Sequence, residues 1–323
     1  MQNDYLDSEN SWRIRTMRAA VISIPGGVPV ITDFAPPKAQ DGCVLIDVDT
    51  AGLGGWDVLG AYRLGVQFPC VIRGEGVGRS PDGRRVYFGE RSTPPWGAWA
   101  ERTVVPEAEV WDVPDDVDDR TAITMGIAGT GIAVPLEAAK IQKGERVLIL
   151  GATGTLGQIG LQLARNAGAG QVVAAARSQA GLDRLMERGI ADAVVAMDGE
   201  NDAEALKAAS GDGFDVVLDL VFGQPFLAAL KATKWGARLI TIGTGAGRTV
   251  ELNIGELLFR TLTCIGTGQR APADRRAIWE RLLVTAREQN ITVDYADYEF
   301  DQASAAWVAQ VSGPHAKITA KIR

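Results

Sequence analysis

The stretch "RVLILGATGTLGQIG" runs from a solid apolar block directly into a cluster of glycines between Arg146 and Gly160. Similar apolar blocks follow it at "QVVAAA", "AVVAM", "DVVLDL", "RLITIG" and "LTCIG", each separated from the next by a stretch with helical patterning. Strands that are apolar on both faces and joined by helical crossovers require a parallel sheet covered on both sides. The part of the chain from residue 145 to about 268 is therefore expected to be an α/β unit with a parallel sheet.

Within the opening stretch the spacing is Ala152-x-Gly154-x-x-Gly157, preceded by Gly151. This is a dinucleotide fingerprint with alanine at its first position. Glycine there permits a tight turn, close approach of the backbone to a pyrophosphate and close packing of helix on strand, while the helix N-terminus offers N–H groups to the anion. The motif alone is weak; the strand before it, the helix after it and a second strand about 20 residues on give it context. Gly151, Ala152, Thr153, Gly154, Thr155, Leu156 and Gly157 are the expected contacts. The second strand ends in "AAARSQAG", which places Arg177 and Ser178 where an acidic residue would bind a ribose 2′-hydroxyl. A guanidinium suits a 2′-phosphate instead, so NADPH is expected over NADH. "VFG" and "GTGAG" close two later strands and put Val221, Gly243, Thr244 and Gly245 at the crevice end of the sheet, near the nicotinamide.

The rest of the chain differs in pattern. Residues 17–123 are rich in Gly, Pro and short β-like runs such as "CVLIDVDTAG" and "RRVYFGE", which read as a mostly β region. From "VPDDVDDRTAI" the period becomes helical, with Asp118 or Asp119 as N-cap and Pro135 near the start of a second helix or kinking it. Residues 1–16 are polar, have no apolar signal-peptide core and are expected to be a flexible extension.

Composition narrows the classes. A net charge of −7 argues against a surface for nucleic acid or anionic membranes. No unbroken apolar run approaches the roughly 20 residues of a membrane span. The 3 cysteines, Cys43, Cys70 and Cys264, match neither a disulfide nor a zinc spacing, which fits the reducing cytoplasm. The single histidine, His315, rules out a site that needs several imidazoles and reads as a surface or interdomain residue.

With these pieces in place the chain resembles the medium-chain dehydrogenase/reductase superfamily, and within it the zinc-free quinone oxidoreductase branch. The resemblance covers nearly everything after Met17. It rests on "AGLGGWDVLGAYRLGVQFP", "IRGEGVGR", "WGAWAERTVVP", "KGERVLILGATGTLGQIGLQLAR", "FDVVLDLVFG" and "SGPHAKITAKI", in that order. It implies a GroES-like, mostly β catalytic domain from residues 17–123 and 269–323, joined to the Rossmann domain at 124–268, with nicotinamide and substrate in the cleft between them. Zinc-dependent members hold their metal with Cys and His at positions that are Gly54 or Gly55 and Gly74 here, and the four-cysteine structural lobe is missing from "VYFGERSTPPWGAW". No metal is therefore expected.

The resemblance implies hydride delivery from NADPH to a quinone or to the C=C bond of an α,β-unsaturated carbonyl. Tyr62 is the candidate donor or proton source at the acceptor oxygen. Trp56, Asp57 and Tyr62 are the expected substrate contacts, although Asp57 and Glu75 also fit a loop-organising role. Gly129 and Thr130, in "IAGTGIAV", stand beside the position of the family's cofactor-binding threonine. Several positions depart from the pattern: Leu59 replaces a tyrosine and Gly181 a lysine associated with the 2′-phosphate. The alternatives are an enoyl-thioester reductase of lipid or polyketide metabolism and a non-catalytic NADPH-binding redox sensor. A homodimer is expected through the edge of the last Rossmann strand, "LTCIG".

Overall fold

A computed structural model describes residues 16–59, 66–89, 91–266, 268 and 270–323. The expected flexible extension at 1–16 lies, but for its last residue, outside them. The chain divides into two compact units, one of residues 1–113, 297–311 and 320–323, the other of 114–296 and 312–319.

The first unit is strand-rich. Its strands are β1 (Met17–Ile22), β2 (Val30–Phe34), β3 (Cys43–Leu53), β4 (Cys70–Val71), β5 (Glu75–Arg79), β6 (Arg85–Phe88), β7 (Arg102–Pro106) and β8 (Val110–Asp112). β3 pairs antiparallel with β5 on one side and β7 on the other, and the ladder continues through β6 to β8. Alternate side chains such as Ile46, Val48, Val77, Val86, Phe88 and Val104 are fully buried, as a one-sided antiparallel sheet demands. A single short helix, α1 (Gly55–Leu59), follows β3.

The second unit opens with α2 (Asp119–Thr124) and α3 (Thr130–Ala139), joined by a π-type turn at Met125–Gly129. Asp118 is the N-cap: one carboxylate oxygen accepts from the Thr121 N–H and the other from its hydroxyl. Pro135 sits inside α3, not at its start. The apolar stretch Asp119–Ala139, interrupted by this π turn, is long and apolar enough to cross a membrane, yet 72% of its most apolar window is buried inside the protein. It is a core helix whose apolar run is interrupted in sequence by polar residues such as Thr124 and Thr130.

Then come β9 (Arg146–Leu150), α4 (Thr155–Asn166), β10 (Gln171–Ala176), α5 (Gln179–Glu187), β11 (Ala193–Ala196), α6 (Asp202–Ser210), β12 (Phe214–Asp219), α7 (Gln224–Lys231), β13 (Thr233–Thr241), α8 (Ile254–Leu257) and β14 (Thr261–Cys264). The strands form a parallel sheet in the order β11-β10-β9-β12-β13-β14. Numbered from β9 this is 3-2-1-4-5-6, the doubly wound dinucleotide-binding order, and the expected α/β class holds. Leu148, Leu150, Val173, Ala175, Val217 and Leu239 share one core cluster with Leu206, Phe226 and Leu230. Their strand neighbours Val147, Ile149, Val172, Ala174, Val216 and Leu218 are equally buried on the opposite face, which explains the continuous apolar runs.

The boundaries depart from the expected 124 and 269. Helix α9 (Pro272–Gln289) buries Ile278, Trp279, Leu282 and Leu283, and the Trp279 indole N–H donates to Ala122 O at 2.9 Å. Arg287 pairs with Asp116. Residues 114–123 and 269–296 thus belong with the parallel sheet, because α9 finds its apolar partner on α2 and α3. The division passes through β15 (Tyr295–Glu299), α10 (Ala303–Ser312) and β16 (Lys317–Lys321).

Candidate dinucleotide site

β9 ends where the chain turns sharply at Gly151 and enters α4 at Gly154, its N-cap. No side chain caps this helix. The first intrahelical bond runs from Gln158 N to Gly154 O, so among the described residues the N–H groups of Thr155, Leu156 and Gly157 have no acceptor. A 12-residue helix directs these groups and its positive end at one point, the chemistry an anion requires. The turn is tight because Gly157 has no side chain: a Cβ there would lie 2.5 Å from Ala152 Cα. A dinucleotide fits such a cradle, since the pyrophosphate needs backbone at contact distance and donors without partners.

Neighbouring loops converge on this turn. Val221 Cγ1 lies 2.8 Å from where a Cβ on Gly151 would be. At Gly243 a Cβ would fall 1.8 Å from Leu220 O, so the loop after β13 is pressed onto the loop after β12. Thr244 and Gly245 continue it, exposed. The loop after β12 is shaped by Asp219, which is fully buried and whose Oδ1 accepts from Val221 N and Phe222 N. Burial pushes the Asp219 carboxyl up, opposed by those two N–H groups and by the Thr241 hydroxyl. Sequence reasoning missed Asp219 because it lies inside an apolar run and donates nothing to a motif.

At the far end of the site, Arg177 is exposed and makes no ion pair among the described residues. The Ser178 hydroxyl accepts from Gly181 N and caps α5, which leaves its proton to donate elsewhere. Gly181 is the only residue type that fits opposite Thr153, whose Cγ2 would be 2.7 Å from a Cβ. His315 also appears here. Its Nδ1 lies 2.8 Å from Thr153 Oγ1, and its carbonyl accepts from Gln158 Nε2. Gln158, 1% exposed, also receives Arg188 Nη1 and Asp294 N on its Oε1. The expected surface or interdomain histidine is instead a neighbour of the glycine turn, 162 residues away in sequence. No local pattern signals so distant a pairing.

Gly129 is buried in the π turn, and Thr130 opens α3 with its hydroxyl donating to Gly126 O at 2.6 Å. That bond uses the hydroxyl proton and leaves only its lone pairs for another partner.

In the first unit, Trp56 is 47% exposed on α1, so it is not a core tryptophan. Asp57 is buried, with Oδ2 accepting from Gly54 N and Oδ1 from Gly74 N. It ties the β3–α1 turn to the strand entry at Gly74, which is the loop-organising role; a substrate contact for this carboxylate does not follow from the geometry. Glu75 accepts the Tyr87 hydroxyl at 2.7 Å. Among the described residues no three His, Cys, Asp or Glu side chains are grouped to hold a metal ion. Tyr62 lies outside the described residues.

A family model described as zinc-binding dehydrogenase matches residues 155–283, a stretch with one cysteine and no histidine. Quinone oxidoreductase-like protein 2 of Rattus norvegicus is 27% identical over 266 residues, 78% of this chain and 75% of that protein. A mycocerosic acid synthase-like polyketide synthase of Mycobacterium tuberculosis is 33% identical over 184 residues, 56% of this chain and 8% of the synthase. Among solved structures, a mycobacterial protein complexed with NADPH superposes with TM-score 0.82 at 22% identity, covering 94% of this chain and 99% of that one. In its sheet order, its glycine turn and these matches, the chain is similar to the medium-chain dehydrogenase/reductase superfamily of oxidoreductases, and within it to the quinone oxidoreductase-like branch.

Proposed function

We propose that the protein is a zinc-independent, NADPH-dependent reductase of quinones or of the C=C bond of α,β-unsaturated carbonyls. The observation that carries the reading is the bare turn, in which Gly157 presses on Ala152 and, among the described residues, the N–H groups of Thr155, Leu156 and Gly157 have no acceptors of their own. The turn would hold the pyrophosphate, Val221 and the Gly243–Gly245 loop would border the nicotinamide, and Arg177 would meet the 2′-phosphate, since β10 ends without a carboxylate. The bound nicotinamide supplies the two-electron reductant. The protein contributes alignment and exclusion of water.

As the acceptor is reduced, negative charge grows on its oxygen, and a donor there lowers the barrier. Tyr62 is assigned that role, and the exposed Trp56 that of an apolar wall for a flat acceptor. At the zinc-ligand positions stand Gly54 or Gly55 and Gly74, which carry no side-chain ligand atoms, so a metal has no part in polarising the substrate. The similarity to a polyketide synthase segment favours a second reading, an enoyl-thioester reductase with the same hydride chemistry.

The test follows loss of NADPH absorbance with 1,4-naphthoquinone, 2-cyclohexenone and crotonyl-CoA, with NADH in parallel. Turnover of the first two with NADPH is expected; turnover confined to crotonyl-CoA selects the thioester reading, and no oxidation of tightly bound NADPH selects a redox sensor.

We further propose a homodimer through the sheet edge. Strand β14 is the last in its sheet, and Trp235, Phe259, Ile254 and Leu258 around it are 56–75% exposed, with the first two stacked at 4.8 Å. Such a patch beside an open edge calls for a cover. Light scattering at micromolar concentration is expected to give twice 34.3 kDa, and W235E to give the monomer. A cytoplasmic location is part of the same reading, supported by the free thiols of Cys43, Cys70 and Cys264.

A further inference from the structure

We propose that His315 is a pH-sensitive specificity residue for the cofactor's 2′-phosphate; the inference rests on the NADPH reading of the same site. Three independent chain segments meet here. Thr153, in the glycine turn, holds His315 Nδ1 at 2.8 Å. Gln158, on α4, anchors the same residue through its carbonyl, and the backbone of His315 stands in the left-handed region at φ 53. The guanidiniums of Arg184, on α5, and Arg177, at the end of β10, are both close enough to act on the imidazole electrostatically.

The charged groups around it are unequal. Arg184 is paired with Asp294, and Arg188 with Asp294 and Gln158. Lys317, two residues on, is buried with partners of its own. Arg177 is without an ion pair among the described residues. The local balance is therefore positive and lacks one anion. Burial, then Arg184, then Arg177 hold the imidazole below its ordinary value of 6.5, so it is neutral in the free protein at neutral pH. A phosphate dianion placed between Arg177 and His315 reverses the sign of the nearest charge and favours the imidazolium. Binding of NADPH then takes up a proton on His315, and binding of NADH, which lacks the phosphate, does not. By linkage, the preference for NADPH weakens as pH rises through the interval between the free and bound values of His315.

The experiment measures dissociation constants of NADPH and NADH by calorimetry at pH 6.5 and 8.5 for the wild type and H315N, in two buffers of different ionisation enthalpy. Asparagine tolerates the left-handed backbone and does not titrate. H315Q serves as a second variant, and melting temperatures report folding. The titration of the free cofactor's 2′-phosphate is common to the wild type and the variants, so differences in proton uptake between them report the bound state. At pH 6.5 H315N is expected to bind NADPH about tenfold more weakly, with the loss shrinking to about twofold at pH 8.5 and NADH unchanged. The wild type takes up more protons with NADPH than H315N does. Equal proton uptake, or a loss that is the same for NADH and at both pH values, overturns the proposal while R177D still lowers the NADPH preference. A wild type with no preference for NADPH, together with an indifferent R177D, overturns the NADPH reading and this inference with it.

Discussion

Glycine-rich turns in the two units behave oppositely. In the second unit, Gly151 to Gly157 bring backbone against backbone and leave the N–H groups at the head of α4 without partners among the described residues. In the first, the N–H groups of Gly54, in the β3–α1 turn, and of Gly74, at the entry to β5, are both taken by the carboxylate of Asp57. One pair of turns carries its anion internally; the other turn keeps its donors open. A glycine-rich stretch therefore announces close backbone approach, and the presence or absence of a nearby buried carboxylate decides whether that approach serves the fold or a ligand.

Substitutions can break this contrast. The largest effect is expected at Gly157. G157A forces a methyl group into the Ala152 backbone, costing about 3 kcal/mol in stability and abolishing the turn as a pyrophosphate site. Thermal unfolding and NADPH titration check both, and a stable G157A that binds as the wild type does would erase the distinction. Next is D57A, which strands two N–H groups, one of them on buried Gly74, at a cost of about 2 kcal/mol. Its melting temperature should fall, whereas an unchanged value would show that water replaces the carboxylate. R177D acts on neither loop and sharpens the boundary of the site: NADPH affinity falls about tenfold relative to NADH, read from the ratio of dissociation constants. An unchanged ratio would put the 2′-phosphate elsewhere. The smallest effect separates the units by their thiols. Burial pushes Cys70 up to about 11, with Arg73 opposing, so iodoacetamide at pH 8 is expected to spare it until the protein unfolds. Alkylation of Cys70 in the folded protein, detected by peptide mass spectrometry, would contradict its placement.

Much of the parallel unit is legible in the sequence because its strands are buried on both faces and its turn depends on a fixed spacing of glycines. Arg146 to Gly160 alone carries the strand, the turn and the helix. The domain limits were less legible. α9 is amphipathic, and nothing local says that Trp279 will bond to Ala122, so the return of the chain was expected some 30 residues too early. The π turn at Met125–Gly129 breaks the helical period without any proline or charged residue to mark it. In the site itself, residues that contribute backbone were readable from glycine, while those that contribute long-range side chains were not. His315 and Gln158 reach their partners across more than 150 residues, and Asp219 is a charge hidden in an apolar strand. Asp57 was readable in both of its roles, and only its two N–H partners show which one it plays.

The account turns on the anion seat at the head of α4. A crystal structure of the protein grown with NADPH measures it directly. The pyrophosphate is expected within hydrogen-bonding distance of the N–H groups of Thr155, Leu156 and Gly157, with the 2′-phosphate beside Arg177. A pyrophosphate bound anywhere else, or crystals at saturating NADPH with that turn bare, would contradict it.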